Sequence, residues 1–327
     1  MKHVAFAAAS AFLMALAANG TAYAAPTPLV IGTGPVAAFA FPLGGEICRL
    51  YEKVTPDKAR CTATATDGSI ENLNRLRSGD IALALVQSDV AADAFSASGP
   101  FAGGPPFAEL RSIGGFYPQA LTVLVRADGP IKQVDDLKGQ RVAVGAPGQP
   151  EPIFTDFLEG LGWGKADLGG VVEMARSEQI SALCNGKIAA IAITAPHPNG
   201  FVREALSACH VVVLDLAGPG LDAAVAAHPA YAPAHLDMSV YAGDSRMVQS
   251  FGPRAVLMTT AKLDRDVVER LLNGIFRHVD DLKKSHPAFV MLDTGTIATA
   301  AGLGAERHPA AVKYMTDNKI SDAPNGE

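Results

Sequence analysis

The stretch from residue 61 to residue 104 constrains the fold more than any other part of the chain. It reads as strand, polar turn, helix, strand, polar turn, helix. After Cys61, Thr and Ala alternate to Thr66, and Asp67-Gly68 closes the strand as a turn. Ser69 is placed to cap a helix whose apolar positions, Ile70, Leu73 and Leu76, recur in steps of three, with Glu71 in its first turn. Ser78-Gly79-Asp80 ends that helix. Residues 81–86 are continuously apolar, as in a strand buried on both faces, and Ser88 in Gln87-Ser88-Asp89 is placed to cap the next helix. Such a βαβ unit crosses over right-handed and brings both polar turns to one edge of a parallel sheet. Backbone N–H groups at helix starts on that edge can hold an anion. Capped turns also occur in α/β proteins that bind nothing there, so the pattern speaks to fold class before function.

The N-terminal segment points to export. Lys2 and His3 precede small apolar residues from 4 to 18, and Ala22-Tyr23-Ala24 fits a signal-peptidase site. Residues 1–24 are therefore expected to be a signal peptide cleaved near Ala24, leaving a soluble periplasmic protein. The apolar run is short for a membrane anchor. An exported chain meets an oxidising compartment, where Cys48, Cys61, Cys184 and Cys209 can form disulfides. Three pairings are open. Cys48–Cys61 with Cys184–Cys209 is favoured because each pair lies within one apparent supersecondary unit. The cysteines show no C-x-x-C spacing, so no metal is expected, and no cofactor motif stands out. A length of 327 residues suits two domains or two lobes, and a net charge of −6 without a basic stripe argues against a nucleic-acid partner.

A first strand at 28–31 ends in Gly32-Thr33-Gly34 and leads to a helix over 43–51. Gly-x-Gly alone does not make a nucleotide site, and no P-loop pattern completes it. A strand at 120–125 is followed by a new start near 126. There a short turn-and-helix element precedes a strand at 141–144, a turn at 145–150 and a helix at 153–161. A helix at 177–183, a strand at 188–194, a turn containing His197, a helix to Cys209 and a strand at 210–214 continue the theme. Residues 219–236 read as helical with Pro229 interrupting, and 254–260 as a strand returning to the first lobe. One long helix is expected over 264–284, with a core-facing stripe from Val267 to Val279. The expected division is lobe 1 at 25–125 plus 252–327, and lobe 2 at 126–251.

Several motifs coincide in order along nearly the whole chain after residue 25: IGTG at 31–34, FPLGGEICRL at 41–50, ATDGSIENLNRLRSGDIALALVQSDVAADAF at 65–95 and GPFAGGPP at 99–106. They continue with RADGPIK at 126–132, DDLKGQRVAVGAPG at 135–148, SEQISALCNGKIAAIAIT at 177–194, HPNG at 197–200, FGPRAVLMTT at 251–260 and HPAF at 286–289. With these the chain resembles the TAXI family, the extracytoplasmic solute receptors of one class of TRAP transporter. The resemblance implies a two-lobed type II periplasmic binding protein fold, an α/β architecture with the ligand cleft between lobes joined by crossover strands. It also implies a glutamate-, glutamine- or 2-oxoglutarate-like ligand and delivery to TRAP membrane subunits, and the receptor is expected to be a monomer. Ligand positions carried over are Thr33, Gly34, Phe39, Phe41, Ser69, Gln87 and Ser88 on one lobe, Gly148, Gln149 and His197 on the other, and Tyr117 near the crossover.

The chain departs from the family pattern at two turns. Pro35, Ala37, Ala38, Ala40 and Phe41 stand where many members carry glycines and tyrosines, which makes the pocket more apolar. Gly148-Gln149-Pro150-Glu151-Pro152 replaces a Gly-Ser-Gly turn and offers a carboxylate instead of a basic residue. A buried second carboxylate on the ligand would want a bidentate arginine. The expected solute is therefore a small monocarboxylate, or an amino acid whose ammonium meets Glu151. Two other readings share the residues: an input module for a membrane sensor kinase, and a secreted hydrolase using Gly243-Asp244-Ser245. The hydrolase has no Asp-x-x-His partner to support it. His197 can read as a ligand contact or as part of a plain turn, and Trp163 as a packed helix-end residue.

Overall fold

The computed structural model describes residues 28–55, 60–146, 151–241 and 245–320. The leader expected at 1–24, the positions Gly148 and Gln149, and Gly243-Asp244 lie outside the described residues.

The first unit runs β1 (Leu29–Gly32), α1 (Ala40–Lys53), β2 (Cys61–Thr64), α2 (Ser69–Ser78), β3 (Leu83–Gln87), α3 (Ser88–Ser96) and β4 (Leu110–Pro118). β2 and β3 both pair parallel with β1, so the opening βαβ unit straddles β1. β3 is buried at four successive positions from Leu83 to Val86, as its unbroken apolar run requires. Neither helix is capped as expected. The N-cap of α2 is Gly68, at φ 116°, and that of α3 is Gln87; Ser69 and Ser88 are first helical residues and make no cap bond. Their hydroxyls reach other strands instead, as described below.

The chain then passes to a second unit at Gln119. β5 (Ala120–Arg126), β6 (Arg141–Val144), α4 (Pro152–Gly160), β7 (Gly170–Val172), α5 (Arg176–Cys184), β8 (Ala190–Ala195), α6 (Gly200–Ala208) and β9 (Val211–Val213) follow. They form a five-stranded sheet of order β7-β6-β8-β5-β9, in which β5 runs antiparallel to β8 and β9. β5 therefore belongs to the second sheet, although the sequence places it before the restart at residue 126.

The region after Pro229 differs from its expected helix. α7 (Pro219–Ala227) stops early, and β10 (Tyr231–Asp237) takes the following residues. The alanines of β10 mimic helix, but its burial alternates from Ala232 to Leu236 against an antiparallel neighbour. Pro233 is tolerated because β10 is an edge strand. That neighbour is β11 (Met247–Thr260), seven residues longer at its start than the expected 254–260. Its first half pairs with β10 and its second half with β3 and β4. The first sheet, six-stranded among the described residues, is ordered β10-β11-β3-β1-β2, with β4 on β11.

The chain ends in α8 (Arg265–Arg277), α9 (Val279–Ser285), α10 (Thr294–Ala298) and α11 (Pro309–Asp317). The long helix expected over 264–284 is broken at His278, at φ −126° and ψ 30°. The break turns α9 so that Leu282 is buried while Asp281 meets Lys53 at 2.9 Å on the surface. The expected stripe is otherwise correct: Val268, Leu271, Leu272 and Ile275 are buried against Leu43, Ile47 and Leu50 of α1 in one cluster. Two further clusters sandwich the second sheet, and Trp163 packs in one of them.

Cys48 is bonded to Cys61 and Cys184 to Cys209, with Cα–Cα distances of 5.0 and 5.7 Å. The first ties α1 to β2, the second joins the end of α5 to the end of α6. Where the two crossing segments meet, the Gln119 N–H donates to the Pro253 carbonyl at 2.8 Å. A Cβ on Gly252 would collide with the Gln119 carbonyl, so glycine lets the two strands touch.

Candidate functional site

The tips of β1, β2 and β3 converge, and their polar residues bind one another. The Thr33 hydroxyl donates to the Thr64 carbonyl at 2.7 Å, which ties the end of β1 to the end of β2. The Thr66 N–H donates to the Gly34 carbonyl at 3.2 Å. Asn72 is fully buried in α2, and its amide donates to the Thr33 carbonyl at 2.7 Å and to the Leu85 carbonyl at 2.9 Å. The Ser69 hydroxyl accepts from the Gln87 N–H at 3.0 Å. Ser88, also fully buried, donates to the Ala230 carbonyl at 2.6 Å and accepts from the Arg254 N–H at 2.9 Å. Thr33 and Ser88 thus have their hydroxyl hydrogens committed to backbone carbonyls, while the Ser69 hydrogen and the half-buried Gln87 side chain stay available.

On the second sheet, the Glu151 carboxylate is engaged by Thr194. It accepts from the Thr194 N–H at 3.1 Å and from the Thr194 hydroxyl, closing the end of β8. Burial holds its carboxyl above the usual range, and the Thr194 bonds oppose that shift. It is neither freely solvated nor idle.

His197 sits in a continuous hydrogen-bonded chain. The Asn199 N–H donates to Tyr241 Oη at 2.7 Å, and that hydroxyl lies 2.8 Å from His197 Nδ1. His197 Nε2 lies 2.8 Å from Thr122 Oγ1, whose hydroxyl reaches the Ala120 carbonyl at 3.1 Å. With Tyr241 donating, Nδ1 accepts, and the imidazole proton resides on Nε2 and points at Thr122. Burial lowers the His197 pKa to about 4, so the ring is neutral at ordinary pH. Both nitrogens are occupied by protein, which leaves the ring face for anything else.

The His197 ring lines a cavity of about 570 Å³ beside the crossover. Phe116, Tyr117 and Pro118 at the end of β4 form one wall. Residues 233–237 of β10, with Val240 and Met247, form another, and Ala288, residues 290–293 and Thr296 form a third. Tyr117 is 5 % exposed; its ring stacks on Phe289 at 5.8 Å and meets Phe39 edge-on at 6.1 Å. Burial alone pushes its hydroxyl pKa upward, so it remains a neutral donor. Arg254 also contributes to the cavity lining and is 2 % exposed.

Of the residues singled out in the sequence, the cavity brings together Tyr117 and His197, with Phe39 packed behind Tyr117. Thr33, Gly34, Phe41, Ser69, Gln87 and Ser88 are not among its lining residues. Phe41 lies in the first turn of α1, half-buried. Sequence reading missed Asn72, which looked like one more polar helix position, and Arg254. The signal for Arg254 was a single cation at the head of the apolar run Ala255-Val256-Leu257-Met258.

The chain matches the NMT1-like family over residues 31–318. It belongs to the NMT1-like family. Among solved structures, this NMT1-like chain is similar to a TctC solute-binding protein from Polaromonas determined without ligand. The identity is 17 %, over 91 % of this chain and 100 % of that one, with a TM-score of 0.53. It also matches the periplasmic aliphatic sulphonate binding protein SsuA from Escherichia coli at 20 % identity, over 80 % of this chain and 72 % of that one, with a TM-score of 0.47. At these identities the likeness concerns the fold, and the fold is a mixed α/β arrangement of two sheets of the two-lobed type II periplasmic binding class.

Proposed function

We propose that this NMT1-like protein is an extracytoplasmic solute receptor of the TAXI type, which captures a small carboxylate or amino acid and hands it to TRAP membrane subunits. The observation that carries the reading is the cavity of about 570 Å³ at the crossover, walled by the end of β4, by β10 and His197, and by Ala288, residues 290–293 and Thr296. That volume suits a metabolite, and walls from separate elements let a solute draw them together. Ligand bound across two such bodies shifts the population toward the form that contacts it on both sides. The TctC protein from Polaromonas, to which the chain is similar, is a solute-binding protein by name.

Tyr117 and His197 are the contact residues with the most support, followed by Phe39 behind them. Ser69 and Gln87, with Gly148 and Gln149, remain contact positions through the TAXI resemblance. Thr33, Gly34 and Ser88 shape the backbone of the rim, and Phe41 supports the start of α1. The division into two lobes, expected at 25–125 plus 252–327 and 126–251, belongs to the same proposal with its first boundary moved to the crossing at Gln119, because β5 lies in the second sheet. So do a monomeric state and cleavage near Ala24, and so does periplasmic residence, which two disulfides support. No helix among the described residues is long and apolar enough to cross a membrane.

The test is a thermal-shift screen of the processed protein against small acids and amino acids, followed by small-angle scattering with each hit. At least one solute is expected to raise the melting temperature and reduce the radius of gyration. Stabilisation by no member of either class contradicts the receptor reading.

A further inference from the structure

The floor of the cavity holds an unusual charge. Arg254 is 2 % exposed, yet no carboxylate pairs with it among the described residues. Its guanidinium is held by carbonyl oxygens alone. Nη1 donates to Thr299 and Ala301 at 3.4 and 3.1 Å, and Nη2 donates to Phe116 at 3.5 Å and to Thr296 at 2.5 Å. Burial, with the neighbouring Arg307 cation, lowers its pKa to about 10, so it stays charged at neutral pH. Carbonyl dipoles satisfy four of the five N–H donors but bring no net negative charge, and among the described residues none accepts from Nε–H. A buried cation without a counter-ion is a large standing penalty unless something anionic completes it.

The rest of the cavity narrows what that anion can be. Its walls are dominated by aromatic and aliphatic side chains, and Met247, Val290 and Met291 on its lining are 52, 48 and 55 % exposed. Tyr117, a buried side chain on the lining, supplies a hydroxyl that has no hydrogen-bond acceptor among the described residues. The two lining carboxylates, Asp237 and Asp293, cap local turns by accepting from the Ser239 and Thr296 N–H groups at 2.9 and 2.6 Å. Neither is close enough to Arg254 to shift it, and both would repel a second negative group.

We propose that the crossover cavity binds an amphipathic monoanion, its carboxylate or sulfonate head directed to Arg254 and Tyr117 and its apolar body against the walls toward Met247 and Met291. This rests on the receptor reading and sharpens it: a dicarboxylate is disfavoured, and so is a small polar amino acid that leaves the apolar walls wet.

Calorimetric titration of the processed protein tests the assignment with three probes: phenylacetate, its neutral counterpart phenylacetamide, and 2-oxoglutarate. Phenylacetate is expected to bind at least about tenfold more tightly than either of the others. Arg254→Gln should weaken phenylacetate by about thirtyfold or more and abolish its advantage over phenylacetamide. Because Arg254→Gln can disturb the buried floor, Met291→Asp at the exposed rim provides a second arm. It should weaken both probes through the lost apolar contact, and phenylacetate several-fold more than phenylacetamide. Phenylacetamide binding as well as phenylacetate overturns the proposal, as does a phenylacetate affinity indifferent to both substitutions. Tight 2-oxoglutarate binding that survives Arg254→Gln overturns it while leaving the receptor reading intact. If no solute of the wider thermal-shift screen binds either, both fall together.

Discussion

The strand tips of the first sheet and the crossover cavity both carry polar side chains, and those side chains end in opposite states. At the tips, Thr33, Asn72, Ser69 and Ser88 bond to backbone groups, and Thr33 and Ser88 have no hydroxyl hydrogen left to offer. At the cavity, Tyr117 keeps its hydroxyl and Arg254 keeps its charge uncompensated. The difference teaches that a polar residue at the end of a strand is evidence of a site only once its partners are counted. Serines and threonines at helix starts are as well suited to knitting a rim as to holding an anion. A charge retained in an apolar wall can tether backbone carbonyls too, but those dipoles leave its net charge without a counter-ion.

This contrast predicts that tip residues act on stability and cavity residues on binding. The largest effect is expected for Asn72→Ala, which leaves the Thr33 and Leu85 carbonyls without their buried donor. A loss of about 3–4 kcal/mol is expected in urea unfolding. A loss below about 1 kcal/mol would mean the tips are not held this way. Next, replacing Cys184 and Cys209 together by alanine should lower stability by roughly 3 kcal/mol, given a loop closed over 25 residues. The same measurement checks it, and an unchanged midpoint would show that the bond contributes nothing to the second unit.

The pH response separates the two regions further. His197 has a folded pKa of about 4 against an ordinary 6.5, so the stability it confers as a neutral ring is present above pH 6.5 and is lost as pH falls toward 4. Asp89, at the start of α3, runs the other way. Burial raises its carboxyl to about 6 from 3.8, opposed by the Val90 N–H, with Asp93 and Asp156 adding to the rise. Its protonated form is favoured by folding, so its contribution is present below pH 3.8 and is lost as pH rises through 6. The two slopes oppose each other between pH 6 and 4. Asp89→Asn should therefore lose melting temperature more steeply than the unaltered protein on acidification through that window. Parallel curves would contradict the assignment. The smallest stability effect is expected for Tyr117→Phe: a change within about 0.5 kcal/mol, because no recorded protein partner loses a bond. A large loss would place Tyr117 with the tips and not with the cavity.

Much of the fold was legible because periodicity carries it. The βαβ unit at 61–95 was readable from alternation, a three-step stripe and an unbroken apolar run, and both disulfides from proximity within one supersecondary unit. The misreadings have physical causes. Ala232 and Ala234 favour helix intrinsically, and only pairing with β11 makes them strand. His278 breaks the long helix without a proline or glycine to announce it. Ser69 and Ser88 looked like caps because a cap residue and a first-turn serine have the same sequence signature; the bonds to Gln87 and Ala230 depend on neighbours distant in the chain. Tyr117 was legible as a candidate through its place beside the crossover. Arg254 was not, because a guanidinium surrounded by carbonyls from residues 116 and 296–301 exists only once the tertiary structure brings them together.

Hydrogen–deuterium exchange of the processed protein, with and without a saturating solute from the thermal-shift screen, tests most directly whether capture happens at the crossover cavity. The account predicts new protection at residues 116–118, 234–240 and 288–296, with little change at 33–34 and 66–69. Protection confined to 33–34, 66–69 and 87–88, with the cavity walls exchanging as before, would contradict it.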